Sequence, residues 1–131
     1  YVRHDGGAGD ELEAGTPGWQ LDRSLAPRLE ERVFDKRFNS AFRKTGLHLY
    51  LQEQEISRLV ICGMQIEFCV DTSVKVAFEL GYEVFIPSGA TTTYDNIILS
   101  GEKIAAFYEH MTWHEPLASV VTMEEAIELL N

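Results

Sequence analysis

The sequence predicts an α/β protein with three layers in the order α/β/α and a mostly parallel, Rossmann-like sheet. Segments of strand and helix character alternate along the 131 residues, which is the order typical of parallel sheets. Residues 58–62 are apolar on both faces, as strands inside a parallel sheet are. Helix 68–80 is followed by Gly81, a residue favoured just beyond a helix end, and strand 83–87 comes directly after it. This length predicts one domain, residues 1–131.

The first part of the chain predicts short strands separated by irregular segments. Residues 1–4 resemble the end of a strand, so we expect a domain that is N-terminally incomplete. A loop rich in Gly, Asp and Glu occupies residues 5–28, and residues 31–34 have strand character. A turn at 39–42 enters a short helical segment, and residues 47–53 favour a helix.

The second part of the chain alternates more regularly. Thr122 and Glu125 form a capping-box pattern, which predicts the start of a last helix that runs through Leu130. The remaining predicted elements are a polar loop at 88–96, a helix at 97–113 and a strand at 118–121.

Composition excludes several classes of partner. The net charge of −10 disfavours binding to nucleic acid and to anionic membrane surfaces, since both attract basic proteins. No apolar run approaches the ~20 residues of a membrane span, and no signal peptide is visible. The two cysteines do not form a disulfide framework, so we expect a cytoplasmic protein.

Cys69 is the residue whose position predicts chemistry. It lies where the turn after strand 58–62 enters helix 68–80, and helix N-termini favour the thiolate, the nucleophilic form of cysteine. Lys36 and the loop 88–96 also follow strands. Because ligands bind at the carboxyl ends of parallel strands, we expect these three features to converge.

Other candidate residues favour structural or pocket roles. Cys62 is predicted to lie within a strand and to be structural. Phe42 is expected in the core or in a dimer contact, whereas Trp19, Phe68 and Tyr94 are candidates for a substrate pocket.

Metal binding is not expected. His110 and His114 have the four-residue spacing of zinc ligands, but no third ligand is near and Pro116 ends the segment. We therefore expect no metal and no other cofactor.

Two motifs resemble those of the isochorismatase-like cysteine hydrolases. Residues 63–72, Gly-Met-Gln-Ile-Glu-Phe-Cys-Val-Asp-Thr, resemble the family's glycine, turn and C-V-x-x-T pattern, and Ala77 and Gly81-Tyr82 match the helix after it. Residues 36–42, Lys-Arg-Phe-Asn-Ser-Ala-Phe, resemble the family's K-x-x-x-S-A-F segment. Gly15-Thr16 lies where the family often has a Gly-Ser or Gly-Thr loop.

The resemblance implies a cysteine–lysine–aspartate triad that hydrolyses small amides or carbamoyl compounds through an acyl-enzyme. Cys69 would be the nucleophile, and Lys36 would favour its thiolate form. The family's cis peptide bond would lie between Met64 and Gln65, and the backbone N–H groups of Gln65 and Cys69 would form the oxyanion hole. The resemblance also implies a homodimer or homotetramer.

The sequence departs from the family at two places. The family's aspartate lies on a first strand that precedes the residues present here, so its role is not transferred to another residue. Gly89-Ala90 stands where many members have Asp-Ala. Two alternatives to an amide hydrolase therefore stay open, an isochorismatase that cleaves a vinyl ether and a non-catalytic binding module. Cys69 disfavours the first alternative, because members with that activity generally lack a nucleophilic cysteine.

Overall fold

The computed structural model describes residues 1–130 as an arrangement of short parallel strands and helices. Every strand pair in this part of the chain is parallel, which confirms the α/β class. The strands are β1 Val2–His4, β2 Phe34–Lys36, β3 Arg58–Val60, β4 Gly63–Met64, β5 Glu83–Pro87, β6 Thr91–Thr92 and β7 Ser119–Val121. The helices are α1 Leu47–Glu53, α2 Asp71–Glu79, α3 Gly101–Phe107 and α4 Met123–Leu129, with π-helical turns at Ile66–Val70 and Tyr108–Thr112.

The strands form three sets where the sequence predicts one sheet. β1 pairs with β2, β5 lies between β3 and β7, and β4 pairs with β6. An apolar cavity of about 460 Å³ separates the first two sets, with Val2 of β1 and Leu59 and Val60 of β3 on its wall.

β2 begins three residues later than the sequence predicts. Residues 31–34 have strand character, but the N–H of Glu31 bonds to the carbonyl of Arg28 in a turn. Pairing with β1 begins only at Phe34, whose N–H bonds to the carbonyl of Tyr1. Lys36 is consequently the last residue of β2, opposite His4.

The predicted strand 58–62 is also too long. β3 ends at Val60, and the chain turns at Gly63, whose φ of 123° suits glycine. Cys62 lies between β3 and β4, so its prediction as a residue within a strand was wrong, and its side chain is exposed. The short strand β6 in the predicted loop 88–96 was also missed, because it forms only by pairing with β4.

The helix predicted at 97–113 begins later, at α3. The Asn96 carboxamide oxygen accepts hydrogen bonds from the N–H groups of Ile98 and Leu99, which holds this segment in a turn. Ser100 then caps α3 through the N–H of Lys103. The turn predicted at 39–42 does not enter a helix, since helical structure begins only at Leu47.

The helix after Cys69 closely follows its prediction. The wide turn Ile66–Val70 continues into α2, and Gly81 lies just beyond the helix end with a φ of 88°. The capping box of Thr122 and Glu125 is present at α4.

The core forms between β5 and the helical segment that begins at Ile66. Buried side chains on the segment contact those of the strand, whereas Phe78 on the same helix is partly exposed. The principal core residues are Ile66, Val70, Val74, Ala77, Tyr82, Val84, Ile86, Ile104 and Trp113. This packing fixes the turn that carries Cys69.

Among residues 1–130, no helix combines the length and apolarity needed to cross a membrane.

Candidate active site

The side chains of Lys36 and Cys69 meet where β2 ends and the helical segment 66–79 begins. Lys36 Nζ lies 2.9 Å from Cys69 Sγ. Lys36 is the last residue of β2, and Cys69 lies in the wide first turn of the helical segment. The contact joins residues 33 positions apart in the chain.

The Lys36 ammonium has a hydrogen-bond acceptor for each of its protons. Besides Cys69 Sγ, Nζ contacts the carbonyl oxygen of Phe38 at 3.0 Å and His4 Nδ1 at 3.1 Å. The residue is only 6% exposed, and within residues 1–130 no carboxylate forms an ion pair with it. Burying a charge costs free energy unless the charge is hydrogen-bonded. These three contacts therefore stabilise the ammonium at this one position.

Cys69 is held between two core anchors and remains partly accessible. Ile66 and Val70 on the same turn are buried, whereas Cys69 is half-buried. Its thiol can donate to Asn39 Oδ1 at 3.9 Å. The same sulfur can therefore contact Asn39 as a thiol and accept from Lys36 as a thiolate.

Ser73 connects the helix of Cys69 to the segment after Lys36. Its hydroxyl donates to the carbonyl of Cys69 at 2.6 Å and accepts from the N–H of Ala41 at 3.0 Å. The buried serine thus fixes the segment that carries Asn39 against the turn that carries the thiol.

The turn before Cys69 is connected to the loop 88–96 through Glu67. The peptide bond between Met64 and Gln65 is cis. Glu67 accepts hydrogen bonds from the Gln65 side-chain amide at 3.2 Å and from the Thr93 hydroxyl at 2.6 Å. One carboxylate therefore connects the turn before Cys69 to the loop 88–96.

The cavity between β1 and β3 has both Lys36 and Cys69 on its wall. Its remaining wall is largely apolar, and it includes Phe42, Met64 and Cys62. Phe42 also stacks on Tyr82 with ring centroids 6.0 Å apart, which is the core packing expected for it.

The three aromatic residues predicted to line a pocket are not on the wall of this cavity. The Cζ atom of Arg3 lies over the ring of Trp19, 3.3 Å from the ring centroid. The Nε1 atom of Trp19 is buried and has no hydrogen-bond partner among the described residues. Phe68 and Tyr94 are 48% and 67% exposed. The loop positions used for the prediction do not determine where these side chains point.

His110 and His114 both lie on the surface. His114 Nδ1 contacts the carbonyl of Glu115. Within the described residues, no three His, Cys, Asp or Glu side chains are grouped as ligands for a metal ion.

Burial lowers the pKa of His4 from its usual value, and the neighbouring Lys36 ammonium lowers it further. Asp10 and Asp5 oppose these two effects to a smaller extent. The pKa of Asp5 is itself lowered, mainly by the N–H of Gly7 and by Arg37. Near neutral pH His4 is therefore uncharged and Asp5 is ionised.

The sequence interpretation missed four residues that contact the site, namely His4, Asn39, Glu67 and Ser73. His4 ends β1 as Lys36 ends β2, so the rule that selected Lys36 also identifies His4. Glu67 and Ser73 have no such signal, because their partners are distant in the chain.

Comparison with known proteins identifies relatives over most of the chain. A family model described as the Isochorismatase domain matches residues 2–125. The streptothricin hydrolase of Streptomyces noursei is 35% identical over 95 residues, which cover 72% of this chain and 34% of that protein. The N-carbamoylsarcosine amidase of Arthrobacter sp. is 35% identical over 78 residues, which cover 60% of this chain and 30% of that protein. The chain thus spans about a third of the length of these two relatives.

The fold has a counterpart among solved structures. The crystal structure of an isochorismatase family protein superposes with a TM-score of 0.84 at 32% sequence identity. The match covers 92% of this chain and 70% of that one.

The Glu67 connection predicts a local change in mobility. Replacing Glu67 with Ala removes both hydrogen bonds, so amide hydrogen exchange in residues 88–96 should accelerate at least about tenfold, since hydrogen bonds to charged groups contribute ~1.5–3 kcal/mol. Glu67→Gln keeps the acceptor for Thr93 and should stay within about threefold of the wild type. Exchange in Glu67→Ala equal to that of the wild type, measured by mass spectrometry, would contradict this role.

Proposed function

The chain belongs to the isochorismatase family, and we propose that it is a cysteine hydrolase that cleaves a C–N bond in a small amide or carbamoyl compound. The observation that carries the proposal is the 2.9 Å contact between Lys36 Nζ and Cys69 Sγ. An adjacent cation favours the thiolate, which is the form of cysteine that attacks a carbonyl carbon.

The reaction has two chemical steps. The Cys69 thiolate adds to the carbonyl carbon, the C–N bond breaks, and the nitrogen takes up the proton that the thiol lost and leaves as ammonia or an amine. Water then adds to the thioester carbonyl and releases the carboxylic or carbamic acid together with the free thiol. In each step the carbonyl oxygen gains negative charge, for which the N–H groups of Gln65 and Cys69 are the proposed donors.

The comparisons support this substrate class without naming a substrate. One relative is named a streptothricin hydrolase and another an N-carbamoylsarcosine amidase, so hydrolysis of nitrogen-bearing carbonyl compounds is consistent with both names. The partly accessible thiol supports a nucleophilic role, because a thiol enclosed in the core could not reach a substrate.

We also propose that the protein is a cytoplasmic homodimer or homotetramer. Its two cysteines are free, as is usual in a reducing compartment. Ile97 and Ile98 are 102% and 82% exposed, and adjacent exposed apolar side chains favour self-association. Light scattering on the purified protein should give two or four times the chain mass, and a monomer mass at micromolar concentration would contradict the assembly.

Alkylation by iodoacetamide tests the nucleophile directly. Cys62 is exposed and Cys69 is half-buried, so exposure alone predicts that Cys62 reacts first. The Lys36 contact predicts the reverse order at neutral pH, with Cys69 at least about tenfold faster, because the thiolate is the reactive form. Peptide mass spectrometry measures the two rates separately. Equal rates, or faster labelling of Cys62, would contradict the proposal.

The same proposal predicts turnover. In a panel of small amides and N-carbamoyl amino acids, Cys69→Ala should lower kcat at least about a thousandfold on any substrate that the wild type hydrolyses. Cys62→Ala is the matched control and should leave kcat within about twofold of the wild type. Undiminished turnover by Cys69→Ala would exclude the acyl-enzyme.

A further inference from the structure

We propose that His4 is a positioning residue of this site, which holds the Lys36 ammonium against the sulfur of Cys69. Its Nδ1 lies 3.1 Å from Lys36 Nζ, which in turn lies 2.9 Å from Cys69 Sγ. The inference rests on the proposed function, since it gives His4 a task only if Lys36 activates Cys69.

The parallel pairing of β1 and β2 places His4 beside Lys36. The two residues are register partners at the ends of their strands. Their neighbours Arg3 and Asp35 form an ion pair at 2.7 Å, as expected for side chains on the opposite face of the same pair. The N–H of Asp5 bonds to the carbonyl of Lys36 at 2.8 Å and extends the pairing past the strand ends. The backbone therefore fixes the imidazole beside the ammonium.

The geometry of an ammonium group makes this contact directional. Its three protons point along fixed tetrahedral directions, so two filled acceptor positions determine the direction of the third. For Lys36, the carbonyl of Phe38 and Nδ1 of His4 are two acceptors, and Cys69 Sγ is the third. Without the His4 acceptor, the carbonyl of Phe38 would be the one remaining oxygen or nitrogen acceptor, in the described part of the chain, that directs a proton of Lys36 toward the sulfur.

The protonation state of His4 follows from the same contact. An ammonium can only donate, so Nδ1 must accept and the ring proton belongs on Nε2. The charged groups that face the ring are Lys36 on β2, Asp5 beside it in the chain and Asp10 in the following loop. Asp5 is itself paired with Arg37 at 2.8 Å. Burial and Lys36 outweigh the two carboxylates and lower the pKa of His4, which keeps Nδ1 free to accept.

Acid should therefore weaken the site in a way that depends on His4. Because the pKa of His4 lies below its usual 6.5, protonation occurs only at lower pH, where it converts Nδ1 into a donor and places a second cation beside Lys36. The ammonium then loses one acceptor, and the thiolate loses the donor that was directed toward it.

Alkylation of Cys69 by iodoacetamide provides the test, since it requires no substrate. The rate is measured from about pH 5 to about pH 9 in a Cys62→Ala background of the full chain, with His4, His4→Asn and His4→Leu. Asn presents its carboxamide oxygen near the position of Nδ1, whereas Leu fills the space without an acceptor. We expect the rate at neutral pH to fall about five- to tenfold in His4→Leu and to stay within about twofold in His4→Asn. The decrease in alkylation rate at acid pH that we attribute to protonation of His4 should be absent in His4→Asn; we call this decrease the acid step.

Each outcome decides the role of His4. A His4→Leu profile equal to that of the wild type overturns the inference, and so does a His4→Asn profile equal to that of His4→Leu. If His4→Leu does not fold, the acid step decides, because its persistence in His4→Asn overturns the inference and its loss supports it. Failure of the proposed function is recognised separately, by turnover that survives Cys69→Ala.

Discussion

The burial of a lysine ammonium beside a cysteine is the constraint on which the site depends. Lys36 is 6% exposed, and a cation at such a position is stable only if each of its protons finds an acceptor. The three acceptors come from β1, from the segment after β2 and from the helical segment 66–79. Removing any one of these segments would leave the ammonium without a full set of hydrogen bonds, so the site is complete only when all three are in place.

The remaining contacts keep the thiol at a fixed place relative to that ammonium. Ile66 and Val70 anchor the turn in the core, and Ser73 connects it to the segment that carries Asn39. Glu67 connects the turn to Thr93 in the neighbouring loop. Preorganisation of this kind matters for catalysis, because polar groups that are already oriented need no reorganisation as charge develops in the transition state.

Local sequence patterns predicted the class of the fold and the two central residues of the site. Strand and helix character alternate in the sequence. Cys69 was identified because it lies where the turn after a strand enters a helix, and Lys36 because it follows a strand. The errors concern pairings between distant segments. β2 begins where β1 offers a partner, and β6 exists only through β4. Cys62 lies outside the strand because β3 stops two residues earlier than its apolar run. The orientation of Trp19 depends on Arg3, which no local pattern reveals.

The contact between Lys36 and Cys69 is the central claim, and the reactivity of the thiol with and without the lysine tests it most directly. In a Cys62→Ala background, iodoacetamide can alkylate only Cys69, and Cys69→Ala supplies the baseline. Lys36→Met keeps the length of the side chain and removes its charge. The account predicts that the alkylation rate at neutral pH then falls at least about tenfold, because the cation that favours the reactive thiolate is gone. Equal rates with Lys36 and with Met at this position would contradict it.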